Sequence, residues 1–363
     1  MHVIVVGAGI SGMMSARELL RGGARVTIID RRQPGRESSW AGGGIISPLY
    51  PWRYSEAVNL LAHASQQIYP EIAAQLRDAT GIDGEYLRSG LLIFSPDETD
   101  QALRWAARWQ VELQQVDRPQ MAAIESHLAP PVDQGLWLPG VAQVRNPRFM
   151  QALHRALQLL GADFLLDTAV TGLQHDAERI TAVATPRGRQ HADSFIICSG
   201  AWAGEMLRGI MPQPRIAPVR GQMLLFRTPP GFVKRITLWN GRYTVPRQDG
   251  RVLFGSTIEH SGFVKETTRE AAALLRNNAI TLYPGLADFP VEHHWAGLRP
   301  GSPGGIPYIG RHPDYANLLI NAGHYRNGVV LAPASARLVA DLALGREPLI
   351  DAQPYAFDAP RSD

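Results

Sequence analysis

At 363 residues the chain is longer than one compact core needs and suits two domains. Its 45% hydrophobic and 19% charged residues are ordinary for a globular protein, and the formal net charge of +3 comes from scattered arginines, with Lys234 and Lys265 the only lysines. No basic run of five residues, no apolar run near the ~20 residues of a bilayer span and no signal-peptide pattern is present, which argues against nucleic-acid and membrane partners and leads us to expect a cytoplasmic protein.

His2-Val3-Ile4-Val5-Val6 is a β-branched run ended by glycine, as expected of a parallel strand buried on both faces. Residues 10–21 carry apolar side chains at helical spacing, Gly22-Gly23 closes that helix, and Arg25–Asp30 is a second strand. Residues 86–95 predict a strand, and 97–115 an amphipathic helix bearing Trp105 and Trp109. Phe195–Cys198 is a second buried-strand run, so Cys198, the sole cysteine, is expected to be an inert buried thiol with no disulfide or cysteine-based metal site. From 216 to 259 apolar and polar residues alternate, with a predicted hairpin of Arg242–Arg247 and Arg251–Thr257 around Asp249-Gly250. His293-His294 makes no metal site alone. A third buried run, Leu318-Leu319-Ile320, leads through glycines into a helix with Leu338, Val339 and Leu342.

This pattern is α/β: a Rossmann-like, doubly wound nucleotide-binding domain (1–85, 145–212 and 297–363) interleaved with an α+β substrate domain on an antiparallel sheet (86–144 and 213–296). Gly7-Ala8-Gly9-Ile10-Ser11-Gly12 is G-x-G-x-x-G between strand and helix. Gly7 permits the turn, Gly9 the approach of a pyrophosphate, and Gly12 close packing of helix on strand. Asp30 ends the next strand, where an acid accepts hydrogen bonds from a ribose. These residues alone do not separate NAD from FAD.

Residues 295–311 and 321–334 form a second cluster rich in glycine and proline. Its helix N-terminus near Gly328 suits negative charge arriving on a flavin ring, which favours FAD. Arg299, stiffened by Pro300, can grip a carboxylate through two parallel hydrogen bonds or serve as a structural ion-pair partner, and spacing leaves both open. Arg326, between Tyr325 and Asn327, shares that ambiguity.

With the stretches Ser38–Gly44, Ser199–Trp202 and Tyr243–Arg247 added to these clusters, the sequence resembles the D-amino-acid oxidase-like flavoproteins over nearly its whole length. The resemblance implies noncovalent FAD, since Cys198 is placed in a buried strand, and a reaction turning glycine or another small amine-bearing acid into the 2-oxo acid, ammonia and H2O2, in thiamine biosynthesis. It implies that Arg299 and Tyr243 take the substrate carboxylate and that Arg326 lies beside flavin and substrate. It implies FAD contacts from Ile10, Ser11, Asp30 and Arg31, from Ser38, Ser39, Gly43, Gly44 and Ile45, and from Val170 and Gly200. His324, Tyr325, Arg326, Asn327, Gly328, Val329 and Val330 complete that set, and 86–144 and 228–242 shape the pocket.

Hydride transfer from Cα needs positioning more than an acid–base pair. Other outcomes in the same class are oxidation of sarcosine or D-amino acids, or a dehydrogenase that passes electrons to a carrier instead of O2. An NADPH-dependent flavin hydroxylase and a flavin-binding partner protein without turnover are alternatives of other classes. A homo-oligomer is left open.

Overall fold

The computed structural model describes residues 1–361. A six-stranded sheet has the order Tyr308–Arg311, Leu318–Ala322, Ser194–Ile197, His2–Val6, Arg25–Ile29 and Asp163–Leu165, parallel except for the first strand. Side chains alternate across it. Val3, Val5, Ile28, Ile196 and Leu319 pack with helices on one face. Ile4, Val6, Ile29, Phe195 and Ile197 point the other way, against Ile180 and Val183. That second face is covered by a three-stranded antiparallel sheet (172–190) and the one-turn helix Ala203–Met206, where a doubly wound pattern predicts long helices.

Gly328–Leu344 is apolar on nearly every side because it lies between Ile10–Arg21, Glu56–Thr80 and the sheet. Pro333 inside it lacks an N–H and so frees the carbonyl of Val329. The buried Tyr69 hydroxyl donates to that carbonyl at 2.6 Å.

The second large sheet has eight strands: Val291–Gly301, Ala217–Arg227, Arg251–Gly255, Arg242–Pro246, Ile236–Trp239, Leu91–Phe94, Gln134–Leu138 and Gln114–Asp117. It is mixed rather than antiparallel throughout, because Ile236–Trp239 and Leu91–Phe94 run parallel. The predicted hairpin forms around Gly250, at φ 86°. Another hairpin turns at Asn240-Gly241, both at positive φ. The expected strand over 86–95 is broken at Gly90 (φ 65°), where a Cβ would stand 1.9 Å from the Trp137 ring, leaving Leu87–Arg88 in a small separate sheet. The helix expected over 97–115 is shorter, Thr99–Trp109. Gln110 turns left-handed, and Gln114–Asp117 becomes an edge strand.

Along each strand of the mixed sheet one set of side chains faces helix Arg269–Leu282, as Leu224 and Phe254 do. The other set, including Met223, Tyr243 and Leu253, faces back toward the parallel sheet. The strand Val291–Gly301 itself runs across residue 297. No described helix is long and apolar enough to cross a membrane.

Candidate active site

A cavity of about 750 Å³ runs from the carboxyl ends of the parallel strands to the inner face of the mixed sheet. At one end Gly7 adopts φ 112°, and a Cβ there would lie 2.5 Å from the carbonyl oxygen of Cys198. A Cβ on Gly12 would lie 1.9 Å from the carbonyl oxygen of Gly7, so Gly12 serves helix packing and does not line the cavity. The Ile10–Arg21 helix begins at Gly9 with no side-chain cap, leaving backbone N–H groups of its first turn toward the cavity. Ile10 N–H donates to Ser39 Oγ at 2.9 Å, which sets segment 38–39 beside the turn.

Asp30 accepts from the N–H of Ala8 at 2.6 Å and of Arg32 at 2.8 Å. Burial raises its pKa against those hydrogen bonds. Arg31 lies 3.7 Å over the Trp202 ring and pairs with Glu37 at 3.2 Å. Ser38, Val170 and Gly200 line the same end.

The second helix N-terminus, at Gly328, also has no side-chain cap. His324 joins the two ends, with Nδ1 3.4 Å from Ser11 Oγ and Nε2 3.1 Å from Ser335 Oγ. Burial lowers its pKa to about 4, so the ring is neutral near pH 7. Tyr325 N–H donates to the Pro300 carbonyl at 2.9 Å, which brings the 324–330 turn against the 299 loop. Gly328 and Val329 face the cavity, whereas the buried Asn327 and Val330 do not line it.

Arg299 enters from the mixed sheet and folds back over Gly221, where a Cβ would lie 2.2 Å from its Nη2. Its Nη1 donates to the carbonyls of Thr257 at 3.2 Å and Arg220 at 3.3 Å, and its Nη2 to Ser256 Oγ. No carboxylate of the described residues pairs with it. Burial pulls its pKa below the ordinary value, opposed by Tyr243 and reinforced by Arg326. Tyr243 is buried beside it, its hydroxyl 3.5 Å from Met223 Sδ. Arg326 Nη2 donates to the Gly241 carbonyl at 3.1 Å, and Gly241 N–H donates to the Tyr50 hydroxyl at 3.2 Å. The Asn240-Gly241 turn therefore borders this end of the site, which its sequence alone does not reveal.

Sequence reading also missed the floor residues Leu49 and Met223, and Glu37 and Trp202 at the far end. Arg247 was noted only within a motif. It is buried, with a pKa pulled down to about 10 by burial, and donates to the carbonyls of Gly43 at 2.9 Å and Val144 at 2.9 Å. It thereby fixes the stretch Gly43, Gly44 and Ile45 along the cavity wall.

A cavity with a phosphate-binding turn at one end and an unpaired arginine at the other belongs to an enzyme that holds an extended dinucleotide and acts on an anionic substrate. The chain belongs to the DAO family of FAD dependent oxidoreductases, which matches residues 2–342. It is 48% identical to the glycine oxidase of Pseudomonas aeruginosa over 98% of both chains. It is 31% identical to the bifunctional protein ThiO/ThiG of Trichormus variabilis, over 98% of this chain and 54% of that protein. The crystal structure of glycine oxidase from Geobacillus kaustophilus superposes with a TM-score of 0.92 at 29% identity, covering 98% of this chain and 97% of that one.

FAD is thus the cofactor, and the residues present fit it. The cavity is long enough for a dinucleotide and bears two uncapped helix ends. The buried Ser199 Oγ and Asn321 Oδ1, both on the cavity wall, have no partner among the described residues.

Proposed function

We propose that this protein oxidises glycine, or another small amine-bearing acid, to the 2-oxo acid with O2 as electron acceptor, in the cytoplasm and in the service of thiamine biosynthesis. One observation carries the substrate assignment: a buried guanidinium faces the cofactor cavity with only neutral acceptors around it, so an anionic ligand relieves its desolvation. A substrate carboxylate supplies that charge, and Tyr243, Met223 and Leu49 line the cavity. The likeness to glycine oxidases and to a ThiO/ThiG protein supports glycine and the pathway.

FAD, when bound, would supply the two-electron acceptor, and O2 would take those two electrons with two protons to give H2O2. Arg299 and Tyr243 hold the carboxylate, and Arg326 borders the same space. Held by its carboxylate, the amino acid presents its Cα–H in a restricted orientation, which contributes to the rate gain. The substrate loses hydride from Cα, and water then converts the imine to 2-oxo acid and ammonia. Gly7, Gly9, Ser11 and Asp30, with Ser38 and Ser39, hold the adenosine and pyrophosphate portions, while residues 43–45, His324, Tyr325, Arg326, Gly328 and Val329 border the opposite end, Gly43 lying against Tyr243. The division into cofactor segments (1–85, 145–212 and 297–363) and substrate segments (86–144 and 213–296) follows these roles except near residue 297, where strand Val291–Gly301 of the mixed sheet brings Arg299 to the substrate.

Anaerobic mixing of the holoprotein with glycine, sarcosine, D-alanine and D-proline tests the proposal. Glycine is expected to bleach the flavin fastest, and air to restore the colour with stoichiometric peroxide. No bleaching by any of the four would overturn it.

A further inference from the structure

We propose that Glu259 is a positioning residue for the substrate carboxylate. Its side chain ties together the two backbone segments that hold Arg299, from the opposite face of the strand. The inference rests on the oxidase reading above, which gives Arg299 to the substrate.

The two carbonyls that fix Arg299 Nη1 come from different segments. Arg220 lies in strand Ala217–Arg227, whereas Thr257 lies beyond the end of strand Arg251–Gly255, past the last regular rung at Met223 and Gly255. Beyond that rung the ladder is irregular, with Thr257 N–H donating to the Gln222 carbonyl at 3.3 Å and Arg220 and Glu259 exchanging backbone bonds at 2.9 and 3.0 Å, and side chains reinforce it. Gln222 N–H donates to Thr257 Oγ1 at 2.8 Å, and an isolated bridge joins Arg220 to Glu259. The Glu259 carboxylate fastens the assembly: Oε2 accepts from Arg220 Nε at 3.0 Å and Nη2 at 2.5 Å, and Oε1 from Gln222 Nε2 at 2.9 Å and Thr257 Oγ1 at 2.5 Å. These donors fill the acceptor sites of both oxygens. Burial opposes ionisation, but the bonds from Thr257, Gln222 and Arg220 outweigh it and hold the carboxyl below its usual pKa.

Two consequences follow. The Arg220 and Thr257 carbonyls keep a fixed separation, so the Arg299 guanidinium keeps one plane, which a two-pronged grip on a carboxylate requires. The Glu259 carboxylate itself lies on the other face of strand Ala217–Arg227, with the side chains of Arg220 and Gln222, and leaves the Gly221 face to Arg299 and its ligand. Without Glu259, Arg220 loses its carboxylate partner and the carbonyl platform keeps only its backbone ties.

The test measures glycine turnover and, without turnover, the binding of acetate through its perturbation of the flavin spectrum. In Glu259→Ala the KM for glycine and the Kd for acetate are expected to rise together by about tenfold, the scale of a misplaced binding group, with kcat within about twofold and FAD content unchanged. Glu259→Gln, which keeps an acceptor, is expected to recover most of the loss. If the alanine variant does not accumulate folded, Thr257→Val, which removes one donor to the carboxylate, reads the same split with a rise of about threefold. KM and acetate Kd unchanged within about twofold, or kcat falling while KM stays constant, would overturn the role of Glu259. The oxidase reading fails separately: no amino acid bleaches the wild-type flavin, whatever the variants do to acetate binding.

Discussion

The two large sheets meet the same cavity in different ways. The parallel sheet offers its strand ends, where the binding groups are backbone: the turn at 7–12 and the uncapped helix starts at residues 10 and 328. The mixed sheet offers a face, where the binding groups are side chains gathered from separate strands, Arg299, Tyr243 and Met223 among them. Backbone at a strand end is set by a few consecutive residues and recognises what every dinucleotide shares. Side chains on a sheet face are set by register and can be exchanged one at a time, so specificity belongs there.

The sharpest way to break this comparison is at its side-chain end. Arg299→Ala is expected to keep FAD bound while kcat/KM for the amino acid falls by about 30- to 5000-fold, the equivalent of roughly 2–5 kcal/mol for a desolvated charge partner. Steady-state kinetics alongside the flavin spectrum checks it, and near-normal kcat/KM removes Arg299 from the substrate site. Gly221→Ala probes the same grip from beneath. Its Cβ would lie 2.4 Å from Arg299 Cζ, and since the obstacle is the end of a flexible side chain, the guanidinium moves and the fold survives. A rise in KM of about 10- to 100-fold, with little change in thermal stability, is expected from an ångström-scale displacement.

At the backbone end the expected response is reversed. Asp30→Ala removes the acceptor for the N–H groups of Ala8 and Arg32, at a cost of roughly 1–3 kcal/mol. FAD dissociation should therefore rise about 10- to 100-fold, while the KM of the enzyme that retains cofactor stays the same. Equilibrium dialysis gives the first quantity and turnover at saturating FAD the second. A change in KM with FAD affinity intact would show that the two ends are not separable.

The same division explains what the sequence could reveal. Gly9, Gly12 and Asp30 were legible because each acts on neighbours within about thirty residues, through rules that hold in any βαβ unit, and Gly7 because its turn follows the same rules, although its close neighbour is Cys198. Arg299 was legible as a candidate but not as an unpaired one, because its partners, the carbonyls of Arg220 and Thr257 and the Ser256 hydroxyl, are set by strand register. Gly221 gave no signal, since its need for no side chain arises from an arginine on the adjacent strand. Asn240-Gly241 has residue types that suit a tight turn but was not predicted as one, and its place beside Arg326 and Tyr50 is tertiary. Helix 99–109 stopped short because Gln110 turned left-handed, which no residue type in 97–115 announces.

His324, which joins the two ends, yields a pH prediction. Its folded pKa of about 4 lies below the ordinary value near ~6.5, so between these values the unfolded chain binds a proton that the folded chain refuses. Its contribution to stability is therefore fully present above about pH 6.5 and is lost as pH falls toward 4, by at most about 3 kcal/mol. Urea unfolding across pH 7 to 4.5 should show a shallower decline in His324→Asn than in the wild type. Parallel curves would mean that the ring takes up its proton without penalty.

The smallest effect is expected where the mixed sheet's loop touches the dinucleotide end. Lys265 Nζ lies 2.7 Å from Glu37, and Phe263 stacks on Trp202 with ring centroids 5.4 Å apart. Both contacts are partly exposed, so the ion pair contributes about 0.2–1 kcal/mol and weakens with salt. Lys265→Ala should therefore speed FAD loss less than about fivefold at low salt, with the difference vanishing near ~1 M salt and KM unmoved. A salt-independent loss above about tenfold would make the loop a clamp on the cofactor. Since Glu259 lies on that same loop, a parallel rise in KM would mean that holding FAD and orienting Arg299 share one support, and the contrast between backbone end and side-chain face would fail at this loop first.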